Sequence, residues 1–352
     1  MIKLWQNRRW AWPLWPASKL FEAITRSRHR AYRTGRKSST KLPATVISVG
    51  NITVGGTGKT PTVIALAEAL RKRGHRVAII SRGYGRKSHG VTVVSDGVHP
   101  PVNVHDSGDE PALLARRLPG IPVVVGADRA VAGQLAIDEF QATHLIADDA
   151  FQHLKLQRDA DLLVMDATRP LGNGWLLPAG PLRDPLKRLS EATAVLLTRT
   201  DQSHHRQAID ALLKEWTEAP VFISSHRPAC WVNDSGEEIT KPPRAALWAF
   251  SGIAHPASFR ATLEKTGVVI SGLSAFKDHH WYTASNLEKV CAQARSAGAK
   301  ALVTTEKDAV RLPADFTSPL PIWTLRIEIA IDPGIDPLLE ALCNAKTGGT
   351  AL

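Results

Sequence analysis

The sequence predicts an α/β protein: one domain built on a parallel sheet, a second and smaller α/β domain, and an amphipathic N-terminal arm. Three observations predict it. Apolar, β-branched runs alternate with helical stretches, the pattern of parallel strands buried on both faces. One of those runs passes through a glycine-rich segment directly into a helix. The basic charge lies ahead of both: residues 1–41 hold eleven Lys and Arg against one acid, Glu22, which leaves 33 basic and 32 acidic residues for the other 311.

The arm comes first in chain order. Its tryptophans, Trp5, Trp10, Trp12 and Trp15, stand among Lys3, Arg8, Arg9, Lys19, Arg26, Arg28, Arg30 and Arg33. Pro13 and Pro16 break the first part, and a helix is expected to start near Pro16 or Ala17, because proline suits a first helical turn. Ala17, Leu20, Phe21, Ile24 and Ala31 fall near one face of that helix. Indole rings favour headgroup depth and cations favour anionic lipid, so residues 1–40 read as a membrane-interface arm. A terminal helix packed on its own domain is the plainer alternative. Nucleic-acid binding is not expected, since the net charge of +11 belongs to the arm and no nucleic-acid-binding fold accompanies it.

Strands are expected at 44–50, 76–83, 91–95, 121–126, 143–148, 161–166, 192–198 and 220–225. Helices are expected at 60–73, closed by Gly74, and at 109–118, 127–141 and 204–216. The polar, turn-rich WVNDSGEEITKPPRA (231–245) suggests a boundary, giving a core over 41–230 and a smaller domain over 231–352. The latter should hold strands at 246–252, 301–305 and 321–329 and helices at 256–265, 284–297 and 336–345. Cys230, Cys291 and Cys343 are widely spaced and odd in number, which argues against a disulfide framework or cysteine zinc site and for a reducing compartment. No run reaches the roughly 18 apolar residues of a membrane span, and charges interrupt any secretory-signal core.

The strand–loop–helix is VISVGNITVGGTGKTPT (46–62), which resembles the phosphate loop of nucleotide-binding proteins. The general pattern wants glycine where Thr53 stands. Otherwise the parts fit: Val54, Gly55, Gly56, Thr57 and Gly58 offer backbone amides to phosphate oxygens, helped by the helix N-terminus. Lys59 would reach the β- and γ-phosphates and Thr60 would ligate Mg²⁺. A chance Gly-Lys-Thr in a turn is the competing reading.

A phosphate loop calls for an acid at the end of another buried strand, and HLIADDAFQH supplies Asp148 and Asp149. Asp109 and Glu110, in DSGDEPALLARRL, suit a helix cap or the proton-accepting acid of a phosphoryl transfer to an alcohol. KDHHWY (277–282) offers Lys277, Asp278, His279 and His280 for proton handling or phosphate binding. TTEKDAVRLP (304–313) puts charge after a strand, with an N-cap by Thr305 as its plain reading. LLPAGPLRDP (176–185) has no reading from chemistry alone.

In order along the chain, VGNITVGGTGKTP, SRGYGR, GDEP, DDAFQH, LLPAGPLRDP, FSGIAHP, KDHHWY and TTEKDAVRL resemble the tetraacyldisaccharide 4′-kinase (lipid A 4′-kinase) family. Thr53 in place of glycine is itself a mark of that family's phosphate loop. The resemblance implies a P-loop NTPase-like fold and transfer of the γ-phosphate of ATP, with Mg²⁺, to the 4′-hydroxyl of a tetraacyldisaccharide 1-phosphate. It implies a peripheral enzyme at the cytoplasmic face of the bacterial inner membrane, held to anionic lipid through residues 1–40, with no obligate protein partner. It assigns Lys59 to the phosphates, Thr60, Glu110, Asp148 and Asp149 to the metal, and His153 to the vicinity of the reacting groups. Asp109 becomes the general base, paired with a histidine of KDHHWY, His280 being slightly preferred to His279. Ala150 departs from the glycine of the family's DDGFQ, and its methyl could shift the turn after the metal acids. Two other classes remain open: a regulatory or metal-delivery GTPase, because Thr198–Asp201 in LLTRTD imitates a guanine-reading segment, and a non-catalytic membrane scaffold.

Overall fold

The computed structural model describes residues 5, 8–99, 101–203, 206–254 and 256–344. Lys3 of the arm, His204 and His205 at the start of one expected helix, residue 345 at the end of another, and His255 of FSGIAHP lie outside the described residues.

The arm forms a short helix, Arg8–Ala11, a helical turn at Trp12–Leu14 and the long helix α1, Trp15–Arg33. The single apolar face expected for α1 is divided. Ser18 and Phe21 turn inward against the body, whereas Leu20 and Ile24 point to solvent.

Among the described residues, thirteen strands join in one sheet. In its first half the strands β1 (Thr45–Gly50), β2 (Val77–Ser81), β4 (Val123–Val125), β5 (His144–Asp148), β6 (Ala160–Asp166) and β7 (Ala194–Thr198) run parallel. Their order is β7-β6-β1-β5-β2-β4, with β3 (Thr92–Ser95) antiparallel on the edge. These strands are apolar throughout because both faces are covered. On one face lie α2 (Lys59–Lys72) and α3 (Asp109–Arg117), whose Val63, Leu66, Leu70 and Leu114 close over Ile47, Val49 and Leu162. On the other lie α4 (Arg129–Phe140) and α5 (Arg206–Trp216).

The two halves are continuous through β8 (Val221–Val232), a twelve-residue strand. Its start pairs parallel with β7, and its length pairs antiparallel with β13 (Ile322–Asp332). Part of the polar stretch at 231–245 is therefore sheet: Trp231 and Val232 pair with the short β9 (Glu238–Ile239). Beyond β13 the order continues β12 (Ala301–Thr305), β10 (Leu247–Ser251) and β11 (Ile270–Ala275), all parallel. Helix α6 (Pro256–Glu264) covers one face of this half and α7 (Ala284–Ser296) the other. Strand β11 was absent from the sequence expectation because Gly272 interrupts its apolar run. The glycine is there for packing, since a Cβ at 272 would overlap the Trp248 ring. The last helix, α8 (Ile335–Asn344), returns to the first half and packs Leu338, Leu339 and Leu342 into the core against α2, β6 and β7.

Candidate active site

β1 ends at Gly50, where a Cβ would lie 2.5 Å from Phe151 Cβ, so the strand terminus and the DDAFQH turn are pressed together. The glycine-rich loop follows, and Lys59 and Thr60 open α2. Gly55 (φ +114°) and Gly58 (φ +94°) occupy the left-handed region that side chains avoid. Thr53 has an ordinary backbone angle, so glycine is not needed there. Its carbonyl accepts from Asn51 Nδ2 at 2.7 Å, and the Val54 N–H donates to Pro181 O at 2.8 Å. That bond consumes the Val54 amide, so the arc of amides open to phosphate begins at Gly55 rather than at Val54. From behind, Thr198 Oγ1 donates to Thr57 O at 2.7 Å and Arg199 donates to Gly56 O at 3.0 Å. A loop held at four points keeps its amides aimed without a ligand, which is the preorganisation an anion site requires.

LLPAGPLRDP, unreadable in the sequence, is the wall of this loop. Besides Pro181 it supplies Arg183, which donates to Asn51 Oδ1 at 3.0 Å and to Asp149 Oδ1 at 2.8 Å. Sequence reasoning missed both Arg183 and Asn51, because neither belongs to a spacing pattern. The arm rests on the same wall. Trp5 Nε1 donates to Pro178 O, Ser18 Oγ to Leu176 O, and His29 Nε2 stands 3.3 Å from Asp184 Oδ1.

Lys59 Nζ lies 3.6 Å from Asp149 Oδ1, so the phosphate-loop lysine and the strand-end acids share one pocket. Asp149 has φ +48°, unusual for a residue other than glycine and characteristic of functional turns. Burial pushes its carboxyl up, but Lys59 and Arg183 outweigh that and hold it well below the usual range. Ala150 fits: it is fully buried, its methyl belongs to the core beside Leu42 and Ala147, and its φ is not positive, so no glycine is required.

Asp148 is the opposite case. Buried, with the Ser81 hydroxyl donating at 3.3 Å, its carboxyl is pushed up to about 7 by burial and by the negative charges of Glu110 and Asp149. In the ligand-free protein the folded state therefore holds a proton that the unfolded chain releases near 3.8. The stabilisation from this group is full below that value and is lost as pH rises through about 7. Thermal midpoints of the ligand-free protein should accordingly fall relative to those of Asp148→Asn between about pH 4 and about pH 7. Parallel curves would refute the assignment. Among the described residues no three His, Cys, Asp or Glu side chains form a ready-made metal cage. A buried carboxyl that feels the charges of Glu110, Asp149 and Lys59 nonetheless fits a hard cation that takes its remaining ligands from phosphate and water.

Helix α3 carries Asp109, the residue expected to accept the hydroxyl proton. Gly108, not Asp109, is its N-cap residue, and Asp109 does not cap in the expected sense. Asp109 is buried. Its Oδ1 accepts from the Glu110 N–H at 3.0 Å and its Oδ2 lies 2.8 Å from His279 Nδ1. The preference for His280 is thus corrected. The chain takes φ +58° at His279, which turns that ring toward Asp109. His280 faces the other way, stacks on Phe276 and meets Asn286 Oδ1 at 2.9 Å. Burial raises the Asp109 carboxyl, but the His279 hydrogen bond and the charges on Lys307 and Arg311 outweigh it and leave it below the usual range.

TTEKDAVRL contributes more than a cap. Thr305 does cap the turn Glu306–Ala309 by accepting from the Asp308 N–H. From that turn Lys307 Nζ reaches Glu110 Oε1 at 3.0 Å and His279 Nε2 at 3.3 Å, and the buried Arg311 places Nε 3.8 Å from Asp109. Glu110, expected at the metal, holds Lys307 and lies near enough to Asp148 for its charge to raise that carboxyl. His153 Nε2 accepts from the Arg129 N–H at 3.4 Å, and burial with the Arg129 charge pushes this imidazole down to about 4, so it is neutral near pH 7. In LLTRTD, Arg199 turns back to Gly56 and Asp166, and Asp201 pairs with Lys265 at 2.7 Å. The residues that imitated a guanine reader are engaged elsewhere.

A family model described as tetraacyldisaccharide-1-P 4′-kinase matches residues 10–344. A tetraacyldisaccharide 4′-kinase of Anaeromyxobacter sp. (strain Fw109-5) is 42% identical over 348 residues, covering 97% of this chain and 93% of the relative. Another from Desulfotalea psychrophila is 37% identical over 333 residues, covering 94% and 95%. Among solved structures, LpxK from Aquifex aeolicus in complex with ATP aligns with a TM-score of 0.76 and 31% identity, over 95% of this chain and 99% of that one.

Proposed function

The chain belongs to the tetraacyldisaccharide 4′-kinase family, and on that premise we propose how its own residues carry out the reaction. The protein is an ATP-dependent kinase of lipid A biosynthesis that phosphorylates the 4′-hydroxyl of a tetraacyldisaccharide 1-phosphate. The observation that carries the reading is a braced phosphate loop linked to a buried carboxylate–imidazole pair through Asp148, whose carboxyl feels both Lys59 of the loop and Glu110 beside Asp109.

The amides of Gly55 to Gly58 and the N-terminus of α2 cradle the phosphates, and Lys59 adds a positive charge where negative charge grows during transfer. Asp109 accepts the hydroxyl proton as the acceptor oxygen bonds to the γ-phosphorus and the bond from that phosphorus to the β,γ-bridging oxygen breaks, releasing ADP. His279 orients the Asp109 carboxylate through Nδ1. Thr60, Asp148 and Asp149 are the residues that would hold Mg²⁺, which when bound neutralises charge on the phosphate oxygens. Arg183 keeps Asp149 in place. Incubating the protein with radiolabelled ATP, Mg²⁺ and a glycolipid 1-phosphate should give labelled glycolipid, absent from a lipid-free control. Nucleotide turnover indifferent to glycolipid would refute the reading.

The substrate's acyl chains stay in the bilayer, so the enzyme must work at its surface. No helix among the described residues is long and apolar enough to cross a membrane. The arm instead presents Trp10 (72% exposed), Trp12 (67%), Trp15, Leu20 and Ile24 to solvent beside Arg9, Lys19 and Arg26. We place it in the membrane interface at the cytoplasmic face, with the active site held above through the 176–185 wall. Replacing Trp10, Trp12, Leu20 and Ile24 together by Ser should lower partitioning onto anionic vesicles at least tenfold, since each lost apolar group weakens burial by about 1 kcal/mol or more. Co-sedimentation unchanged by the substitutions would remove the arm from this role.

A further inference from the structure

The arm is joined to the phosphate loop by more than packing. Asp184, in the wall at 176–185, is 1% exposed and has partners on both carboxylate oxygens. Its Oδ1 lies 3.3 Å from His29 Nε2 of α1, a contact that a carboxylate makes only as acceptor. Its Oδ2 accepts from Gln152 Nε2 at 2.8 Å and from Arg188 Nη1 at 3.0 Å. Burial pushes the Asp184 carboxyl up, but the His29 hydrogen bond and the Arg188 charge outweigh it and leave it below the usual range.

The partners of Asp184 matter for what they hold in turn. Gln152 Nε2 also donates to Asn51 O at 2.8 Å, and since both of its neighbours are acceptors the amide has one orientation. Asn51 donates to Thr53 O at 2.7 Å and to Thr57 Oγ1 at 3.3 Å, both within the phosphate loop. Arg188 lies over the Phe151 ring, 4.0 Å from its centroid, and donates to Phe151 O. Arg28, the neighbour of His29, donates to Gln152 O at 3.3 Å. A hydrogen-bonded route therefore runs unbroken from α1 to the phosphate loop, through His29, Asp184, Gln152 and Asn51. Its middle is the turn that directly follows Asp148 and Asp149.

We propose that Asp184 is a positioning residue for the nucleotide site and that His29 completes it, so that the arm holds the phosphate loop in shape as well as holding the enzyme to the membrane. A buried carboxylate that loses one donor is left poorly paired, and the groups drawn out of place are those that brace Gln152 and the loop. Simple fastening of α1 to the body predicts something else, a lower melting temperature with the loop untouched. The consequence for phosphoryl transfer rests on the kinase reading above, whereas the order of the loop is a property of the ligand-free chain and is measured without glycolipid.

The test uses the full-length protein, free of lipid. His29→Leu keeps bulk and helix propensity but removes the donor, whereas His29→Gln keeps a donor. Asp184→Asn keeps the volume and leaves Arg188 its pair with Glu191 at 2.8 Å. In hydrogen-exchange mass spectrometry of the ligand-free protein, residues 51–58 should exchange at least about threefold faster in His29→Leu and in Asp184→Asn, with strand β12 unchanged. His29→Gln should exchange at the wild-type rate. By calorimetry the dissociation constant for ATP with Mg²⁺ should rise about 3- to 30-fold in the first two variants, the range for a contact inside a coupled network. In a Gln152→Leu background, His29→Leu should add little to either effect, because the route is already cut. Co-sedimentation with anionic vesicles should be the same for His29→Leu and wild type. Loop exchange and ATP affinity unmoved by His29→Leu, a loss confined to vesicle binding, a loss that His29→Gln does not restore, or losses that multiply in full with Gln152→Leu would each overturn the proposal. If the loop responds but the wild type phosphorylates no glycolipid, the kinase reading fails and the link between arm and loop stands. If the wild type turns over and the loop does not respond, only this inference fails.

Discussion

Asp109→Asn should reduce phosphoryl transfer about 10²- to 10⁴-fold, the range expected when a general base is removed. The substitution is chosen to keep everything except basicity. Asparagine has the volume of aspartate, its side-chain oxygen can still accept from His279 Nδ1, and Arg311 keeps its ion pair with Asp308 at 2.8 Å, so no buried cation is orphaned. What is lost is the capacity to take the hydroxyl proton. KM for ATP should stay near its wild-type value, because Asp109 belongs to α3 rather than to the phosphate loop. Steady-state rates with glycolipid acceptor, read beside a thermal melt, decide the matter. A folded Asp109→Asn protein with turnover within about threefold of wild type would exclude Asp109 as the base.

Lys59→Ala should lower kcat/KM by about 10²- to 10³-fold, as removal of a preorganised charge-stabilising group does elsewhere. Here too the structure separates chemistry from folding. Asp149, 3.6 Å from Lys59, retains the closer Arg183 at 2.8 Å, so the truncation leaves no bare buried carboxylate. The loop keeps its ties to Pro181, Asn51, Thr198 and Arg199, none of which involves Lys59. The loss should therefore fall on both nucleotide affinity and the transfer step, since the lysine faces phosphates in the ground state and in the transition state. Nucleotide binding measured by calorimetry separates the two. Wild-type ATP affinity together with wild-type turnover in Lys59→Ala would make the Gly-Lys-Thr an accident of the turn.

Much of this was legible in the chain, for physical reasons that differ between elements. Strands buried on both faces must be apolar throughout, and the helices between them must carry one apolar stripe, so β1 to β7 and α2 to α5 announced themselves by period. The phosphate loop was readable because left-handed backbone at Gly55 and Gly58 and a Lys-Thr at a helix start leave few alternatives. β11 was not, since its glycine serves the Trp248 ring, and nothing local marks a residue as small on behalf of a partner 24 positions away. The division of the arm's apolar face, with Phe21 inward and Leu20 and Ile24 outward, likewise depends on where the body lies.

By itself, then, the sequence determined the fold class, the nucleotide loop, the acids at the strand ends and, through an ordered set of motifs, the family. Each of these is written in residues close together along the chain, where spacing and chemistry coincide. Only the tertiary structure decided that His279 rather than His280 pairs with Asp109, because the choice turns on one backbone angle, φ +58°. Only it brought Arg183 to Asp149 and Lys307 to Glu110 and His279, contacts spanning 34, 197 and 28 residues. Charges so far apart along the chain leave no mark of their pairing in the sequence. They meet because one continuous sheet joins the two halves, β8 pairing with β7 on one side and β13 on the other, and so brings distant side chains together.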